Sequence, residues 1–267
     1  MDYRCSVKCG RRFYSTITTE IMKEYVLITG SSSGIGEEIA KNLSAKYNII
    51  LNGRDEERLE NVKAKLQGGE HLVWIYDLSK TDSIEADFTQ FLKQNGVAVS
   101  YFVHCAGFMK MCPVKLLSNE IFQNSFNTNI ISAALLTKLL VGKKTNNKAL
   151  KSAVLISSNI SNFGAKAFSV YGAAKAGLDG LMRCLAMELA PSVRVNSVLP
   201  GGVRTRMTES MYQDQELIQR MEATYPLGLG NVTDISNAVE FLLSDKARWI
   251  TGQQITVDGG RTINITG

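Results

Sequence analysis

From Tyr25 onward the chain alternates short apolar runs with longer segments of 3.6-residue periodicity, the pattern of repeated βα units that build a parallel sheet covered on both faces. Strands are predicted at 25–29, 48–52, 71–76, 100–104, 152–157, 193–198 and 254–257. Helices are predicted between them at 34–46, 55–66, 81–94, 119–141, 169–190 and 233–243. The fold class that follows is α/β: a doubly wound, seven-stranded parallel sheet with helices on both faces. No Pro/Gly/Ser-rich linker or internal repeat divides the chain, so residues 22–267 read as one domain. The long excursion at 203–230 follows a strand whose carboxyl end is where such folds bind ligands, which places it to cover a substrate. Its Met207, Met211, Tyr212, Met221 and Tyr225 form either an adaptable apolar lining or a packed surface helix pair.

Composition narrows the function classes. With 45% hydrophobic and 21% charged residues the chain is ordinary for a soluble globular protein, and no apolar run is long enough to span a bilayer. The net charge of +5 comes from dispersed basic residues rather than a stripe, which argues against nucleic acid as a partner. Five cysteines without a Cys-x-x-Cys pair, and only two histidines, point to reduced thiols and no metal site. Residues 1–21 are basic and rich in Ser and Thr. They read either as a mitochondrial presequence ending near Arg11-Arg12-Phe13-Tyr14-Ser15 or as a disordered tail or upstream mis-start before Met22. The second reading fits a segment with no pattern that would let it pack, and implies a cytoplasmic protein; the first implies the mitochondrial matrix.

Val26-Leu-Ile-Thr-Gly30 reads as a buried strand running into Ser32-Ser33-Gly34-Ile35-Gly36 and then a helix. Glycines at a turn between strand and helix let the backbone approach a pyrophosphate, whose charge is favoured at the helix N-terminus, so this is a nucleotide cradle. The second strand ends in Gly53-Arg54, where an NAD-binding protein more often carries an acid for the ribose diol. Arg54 therefore points to a 2′-phosphate, and to NADP(H) in preference to NAD(H). Asp55 could instead cap the following helix and leave Arg54 solvated.

Tyr171 and Lys175 stand four residues apart on one helix face, with Ser158 thirteen residues before the tyrosine. Hydride addition to a carbonyl makes an alkoxide that needs a proton, and a cation beside a phenol lowers a pKa that is otherwise near 10. Ser158 ends a strand, so its hydroxyl can hold the carbonyl oxygen beside the tyrosine. Ser157 alternates to the opposite side of that strand, Ser161 has the wrong spacing, and Asn127 reads as a helix-surface polar group.

These motifs together resemble the single-domain branch of the short-chain dehydrogenase/reductase family, and most of all its 3-oxoacyl-(acyl-carrier-protein) reductase-like members. The resemblance runs from about Tyr25 to Ile263 and rests also on Asp77-Leu78, His104-Cys105-Ala106-Gly107, Asn129, Pro200-Gly201-Gly202-Val203-Arg204-Thr205 and the Trp249 to Gly260 tail. It implies a Rossmann fold, with Asp77 and Leu78 at the adenine, the backbone of Cys105, Ala106 and Gly107 along the cofactor, and Lys175 on the nicotinamide ribose. It also implies Asn129 holding a water that relays protons to Lys175, and Pro200, Gly201, Val203 and Thr205 near the carboxamide. His104 and Cys105 depart from two asparagines usual in the family, and His104 reads as a packed, hydrogen-bonded residue rather than a base. The activity implied is NADPH-dependent reduction of a small or carrier-linked ketone to a secondary alcohol, as in fatty acid biosynthesis. A non-catalytic NADP(H)-binding regulator, or a dehydrogenase of a sugar or other small alcohol, are the alternatives. Arg204, Arg206, Lys138 and Lys143 are candidates to meet an acidic carrier protein. A homotetramer is expected through helices 119–141 and 169–190, whose apolar residues (Ile130, Ile131, Leu135, Leu136; Leu178, Leu181, Met182, Leu185) exceed what one sheet face can cover.

Overall fold

The computed structural model describes residues 23–264 apart from 210 and 214; the readings of residues 1–21 and of the start at Met22 lie outside the described residues. Seven parallel strands, β1 (Tyr25–Thr29), β2 (Asn48–Gly53), β3 (Leu72–Ile75), β4 (Val99–His104), β5 (Ser152–Ile156), β6 (Arg194–Pro200) and β7 (Gln254–Val257), form one sheet. Its order is β3-β2-β1-β4-β5-β6-β7. The chain winds outward from β1 to β3, then returns to lay β4 beside β1, so the connections leaving β1 and β4 part to opposite sides. That reversal opens a crevice at the carboxyl ends of these two strands.

Alternation along each strand feeds two cores. In β1, Tyr25 and Leu27 join Phe102, Leu136, Leu155, Leu178 and Met182 on one face. Val26 and Ile28 join Ile39, Leu43, Leu51, Val239 and Leu242 on the other. Burial on both faces is why the strands read as continuous apolar runs. The second core is roofed by α1 (Gly34–Ser44), α2 (Glu56–Lys63) and, arriving last in the chain, α9 (Val232–Leu243). The first is roofed by α3 (Ile84–Asn95), α5 (Ser132–Val141) and α7 (Ser169–Leu189). The short α6 (Lys143–Asn146) follows α5, and α8 (Gln215–Thr224) lies within the long excursion after β6. Local signals set the ends: Asp55 accepts from Arg58 N–H at the start of α2, Asn231 and Asp234 close a capping box on α9, and Gly96, at φ 63, terminates α3.

The helix predicted over 119–141 is interrupted. α4 (Asn119–Phe126) passes into a π-helical turn, Asn127–Ile131, in which Ser132 N–H donates to Asn127 O five residues back, and α5 resumes beyond it. Asn127 is therefore no free surface group: it is half-buried and its Nδ2 donates to Ser79 O at 2.9 Å. The apolar surplus expected on the two long helices is also small. Leu136, Leu178 and Met182 are fully buried within the chain, and Ile130, Leu135, Leu181 and Leu185 pack against the same core, which leaves Ile131 exposed. Among the described residues no helix is long and apolar enough to cross a membrane.

Candidate active site

A continuous cleft of about 650 Å³ crosses the carboxyl ends of the strands. One end is walled by Arg54, Arg58 and Asp77, the middle by the turn from Gly30 to Gly36, and the far end by Ser158, Tyr171 and Lys175 beneath Met207, Tyr212, Met221 and Tyr225. Every cofactor-site residue predicted from the sequence lines this cleft except Val203, which is buried and gives its carbonyl to Thr208 Oγ1 at 2.9 Å.

Close approach dictates the glycines of the turn. A Cβ at Gly30, whose φ is 65°, would lie 2.7 Å from the backbone of Ala106, and one at Gly36 would lie 2.4 Å from Gly30 O. The strand, the turn and the first turn of α1 thus nest without side chains, and the α1 N-terminus faces the cleft. An elongated cleft with a backbone cradle at a helix N-terminus fits a dinucleotide pyrophosphate. At the Arg54 end both sequence readings coexist: Asp55 does cap α2, while the exposed Arg54 guanidinium stays on the cleft wall, 4.0 Å from Asp77 Oδ2. Arg58, which no sequence motif marked, joins it there and pairs with Asp55 at 3.0 Å.

Where β1 and β4 end, Thr29 Oγ1 accepts Cys105 N–H at 3.1 Å and Ala106 N–H at 3.2 Å, and lies 3.0 Å from His104 Nδ1. His104 Nε2 lies 3.2 Å from Thr128 O in the π-helical turn. The imidazole is fully buried, and burial with the Lys175 charge pushes its pKa down to about 3. Burial pushes the Cys105 thiol up to about 12, so that neighbour of the cleft is an inert thiol.

Ser158 follows β5, and its Oγ accepts Ile160 N–H at 3.3 Å, capping the short turn Asn159–Asn162. The Tyr171 side chain lies beside it, near enough for the Ser158 hydroxyl to pull the phenol's pKa down. Ser157 turns the other way, to Asp179 Oδ2 at 2.8 Å, as its alternation predicted. Lys175, buried one turn after Tyr171 on α7, donates from Nζ to Ile156 O at 2.8 Å. The lowering of the phenol expected from that cation does not appear: burial raises Tyr171 to about 12, the Ser158 hydroxyl opposing and Cys105 adding to the rise. Burial in turn lowers Lys175 to about 8, against the fields of Cys105 and Asp179.

Asn129 does not line the cleft. It is fully buried behind Gly107, its Nδ2 donating to Ser125 O at 2.8 Å and Phe108 O at 3.0 Å. Among the described residues its Oδ1 has no hydrogen-bond partner, and a Cβ at Gly107 would lie 3.1 Å from that oxygen and 3.7 Å from Lys175 Nζ. The far end of the cleft is apolar, with Phe108, Met109, Ile160 and Phe168 added to the predicted Met207, Tyr212, Met221 and Tyr225; the Met211 side chain is outside the described residues. Of the basic residues considered for a carrier protein, Arg204 pairs with Glu209 at 2.7 Å and Lys138 with Glu85 at 2.8 Å; of the four, Arg206 lines the cleft.

A family model described as enoyl-(acyl carrier protein) reductase matches residues 30–262. Glucose 1-dehydrogenase of Gluconobacter oxydans is 30% identical over 245 residues, which cover 89% of this chain and 91% of that protein. The 3-oxoacyl-(acyl-carrier-protein) reductase of Mus musculus is 31% identical over 247 residues, covering 91% and 100%. The solved structure of 4-hydroxyisoleucine dehydrogenase complexed with NADH superposes with a TM-score of 0.83 at 29% identity, over 90% of this chain and 99% of that one. These names span different substrates on one framework. The chain belongs to the short-chain dehydrogenase/reductase family of oxidoreductases, which work with a nicotinamide cofactor.

Proposed function

We propose that the cleft reduces a ketone to a secondary alcohol at the expense of NADPH, with 3-oxoacyl thioesters as the substrate type. The observation that carries the reading is the meeting of the Ser158 and Tyr171 hydroxyls on the cleft wall with Lys175 buried behind them. The residues fit a dinucleotide along Gly30, Ser32, Ser33, Gly34, Ile35 and Gly36, with Asp77 and Leu78 at its adenine and Pro200, Gly201 and Thr205 at its nicotinamide; when bound it supplies the hydride. Arg54 at the adenosine end, with Arg58 beside it, supports NADPH over NADH, because a guanidinium suits a 2′-phosphate.

In this reading Ser158 holds the carbonyl oxygen and Tyr171 gives it a proton as negative charge develops there. A phenol raised to about 12 is fully protonated at neutral pH, the correct starting state for an acid. The phenolate left behind is stabilised by Ser158 and by the Lys175 charge, 5.7 Å from the ring centre. Lys175, lowered to about 8, exchanges protons readily near neutrality, and the open Asn129 Oδ1 lies on its side of Gly107 to pass them on. The aromatic and methionine lining of the far end supports an acyl or alkyl substituent over a polyhydroxylated one. Self-association as a homotetramer stays part of the proposal, supported by the exposed Ile131, Met187 and Trp249.

The test is a substrate matrix: NADPH or NADH crossed with acetoacetyl thioesters, simple ketones and, in the reverse direction, sugars and secondary alcohols. Turnover greatest with NADPH and an acyl or alkyl ketone is the expected result. Sugar oxidation with NAD as the fastest reaction would move the assignment to a polyol dehydrogenase.

A further inference from the structure

We infer that His104 is a positioning residue for this reaction, tying the strand ends behind the cofactor turn to the π-helical turn that carries Asn129 and so fixing where the Asn129 carboxamide points. The inference rests on the reductase reading above.

Hydrogen-bond accounting makes the argument. The Thr29 hydroxyl has two lone pairs and one proton. Cys105 N–H and Ala106 N–H take the lone pairs, at 3.1 and 3.2 Å, so the proton goes to His104 Nδ1 at 3.0 Å. With Nδ1 accepting, a neutral imidazole carries its one proton on Nε2, and that N–H points at Thr128 O, 3.2 Å away. The tautomer is thus set by β1, and the ring spends its donor on the residue next to Asn129.

The π-helical turn needs such a tether. Thr128 O receives His104 together with Ser132 Oγ at 2.8 Å, while Asn129 Nδ2 is spent on Ser125 O and Phe108 O. What remains is the Asn129 Oδ1, unpartnered and facing the Gly107 and Lys175 side. Rotation of this one turn would swing that oxygen away while leaving the cofactor cradle in place, because Thr29 holds Cys105 and Ala106 with lone pairs that do not depend on His104. A side chain that fixes another side chain in this way affects turnover rather than cofactor affinity.

The experiment is a double-mutant cycle of His104→Phe and Asn129→Ala, read in kcat and in the cofactor Kd. His104→Phe is expected to lower kcat about tenfold with Kd changed by less than about twofold, and to have no further effect on kcat in the Asn129→Ala background. Additive losses, or a Kd that rises in step with the fall in kcat, would overturn the inference. Two readouts do not depend on turnover. Hydrogen exchange of the amides at 127–132 is expected to speed up in His104→Phe while that of 25–29 stays unchanged; unchanged exchange at both sites overturns the tether. Nitrogen-15 NMR of the unmodified protein is expected to show the Nε2–H tautomer at His104, and the Nδ1–H form overturns it even where His104→Phe does not fold. Failure of the reductase reading appears separately, as absence of turnover in the unmodified protein.

Discussion

The Lys175 ammonium stands 5.7 Å from the centre of the Tyr171 ring, one turn along α7, and is held there by the Ile156 carbonyl. The two groups are pushed in opposite directions by the same burial, Tyr171 up to about 12 and Lys175 down to about 8. The phenol therefore keeps its proton across the working range, and the first group to change charge on the alkaline side is the amine. We predict that kcat/KM for ketone reduction, which reports the free enzyme, is flat near neutrality and falls above about pH 8 as Lys175 deprotonates. A profile that stays flat to pH values near the tyrosine value of about 12 contradicts the assignment of Lys175.

In the proposed reading Arg54 selects the cofactor by charge. Replacing it by alanine is expected to raise the KM for NADPH by about tenfold to hundredfold, the equivalent of a charge-assisted hydrogen bond of roughly 1.5 to 3 kcal/mol. The KM for NADH should barely move. Initial rates with both cofactors decide this, and equal effects on the two mean that Arg54 does not meet a 2′-phosphate.

The cradle tolerates no side chain at its closest point. Gly36→Ala would set a methyl group 2.4 Å from Gly30 O, so the turn must open. Calorimetry should show destabilisation of about 1 to 3 kcal/mol, and the cofactor Kd should rise with it. Gly96→Asn is the control: unlike Gly36, Gly96 has positive φ, at 63°, but among the described residues nothing lies within 4 Å of its added Cβ, and asparagine accepts that conformation. Its cost should be small and cofactor binding unchanged.

His104 gives the fold an acid limit. Its folded pKa of about 3 lies below the ordinary 6.5, so between these values the unfolded chain binds a proton that the folded protein refuses. Stability is complete above about 6.5 and is lost as pH falls toward about 3, at up to about 1.4 kcal/mol per pH unit from this one group. His71, also lowered by burial, adds in the same direction. Urea unfolding between neutral and mildly acid pH should show a shallower pH dependence in His104→Asn than in the unmodified protein, and identical slopes would rule out a buried neutral imidazole.

The strands were legible because parallel strands buried on both faces leave unbroken apolar runs, as in Val26-Leu27-Ile28. The cradle was legible because close backbone approach demands glycine. The π-helical turn was not, since Asn127 to Ile131 contain no glycine or proline, and the turn's contact with His104 Nε2 comes from a residue distant in sequence. Asn129 read as part of a continuous helix but lies in that π-helical turn, and its position behind Gly107 rather than on the cleft wall is a matter of tertiary packing. The sign of the Tyr171 shift was missed for a similar reason: sequence spacing puts a cation beside the phenol, while the burial that sets the shift comes from the assembled fold.

The central claim is that the Tyr171 hydroxyl delivers the proton. Tyr171→Phe keeps the ring and removes only that oxygen, so the direct measurement is its kcat for reduction of an acetoacetyl thioester, taken beside the fluorescence-determined Kd for NADPH. The account predicts a kcat lower by about 10² to 10⁴ with Kd essentially unchanged. A Tyr171→Phe protein that binds NADPH and turns over within a few-fold of the unmodified enzyme would contradict it.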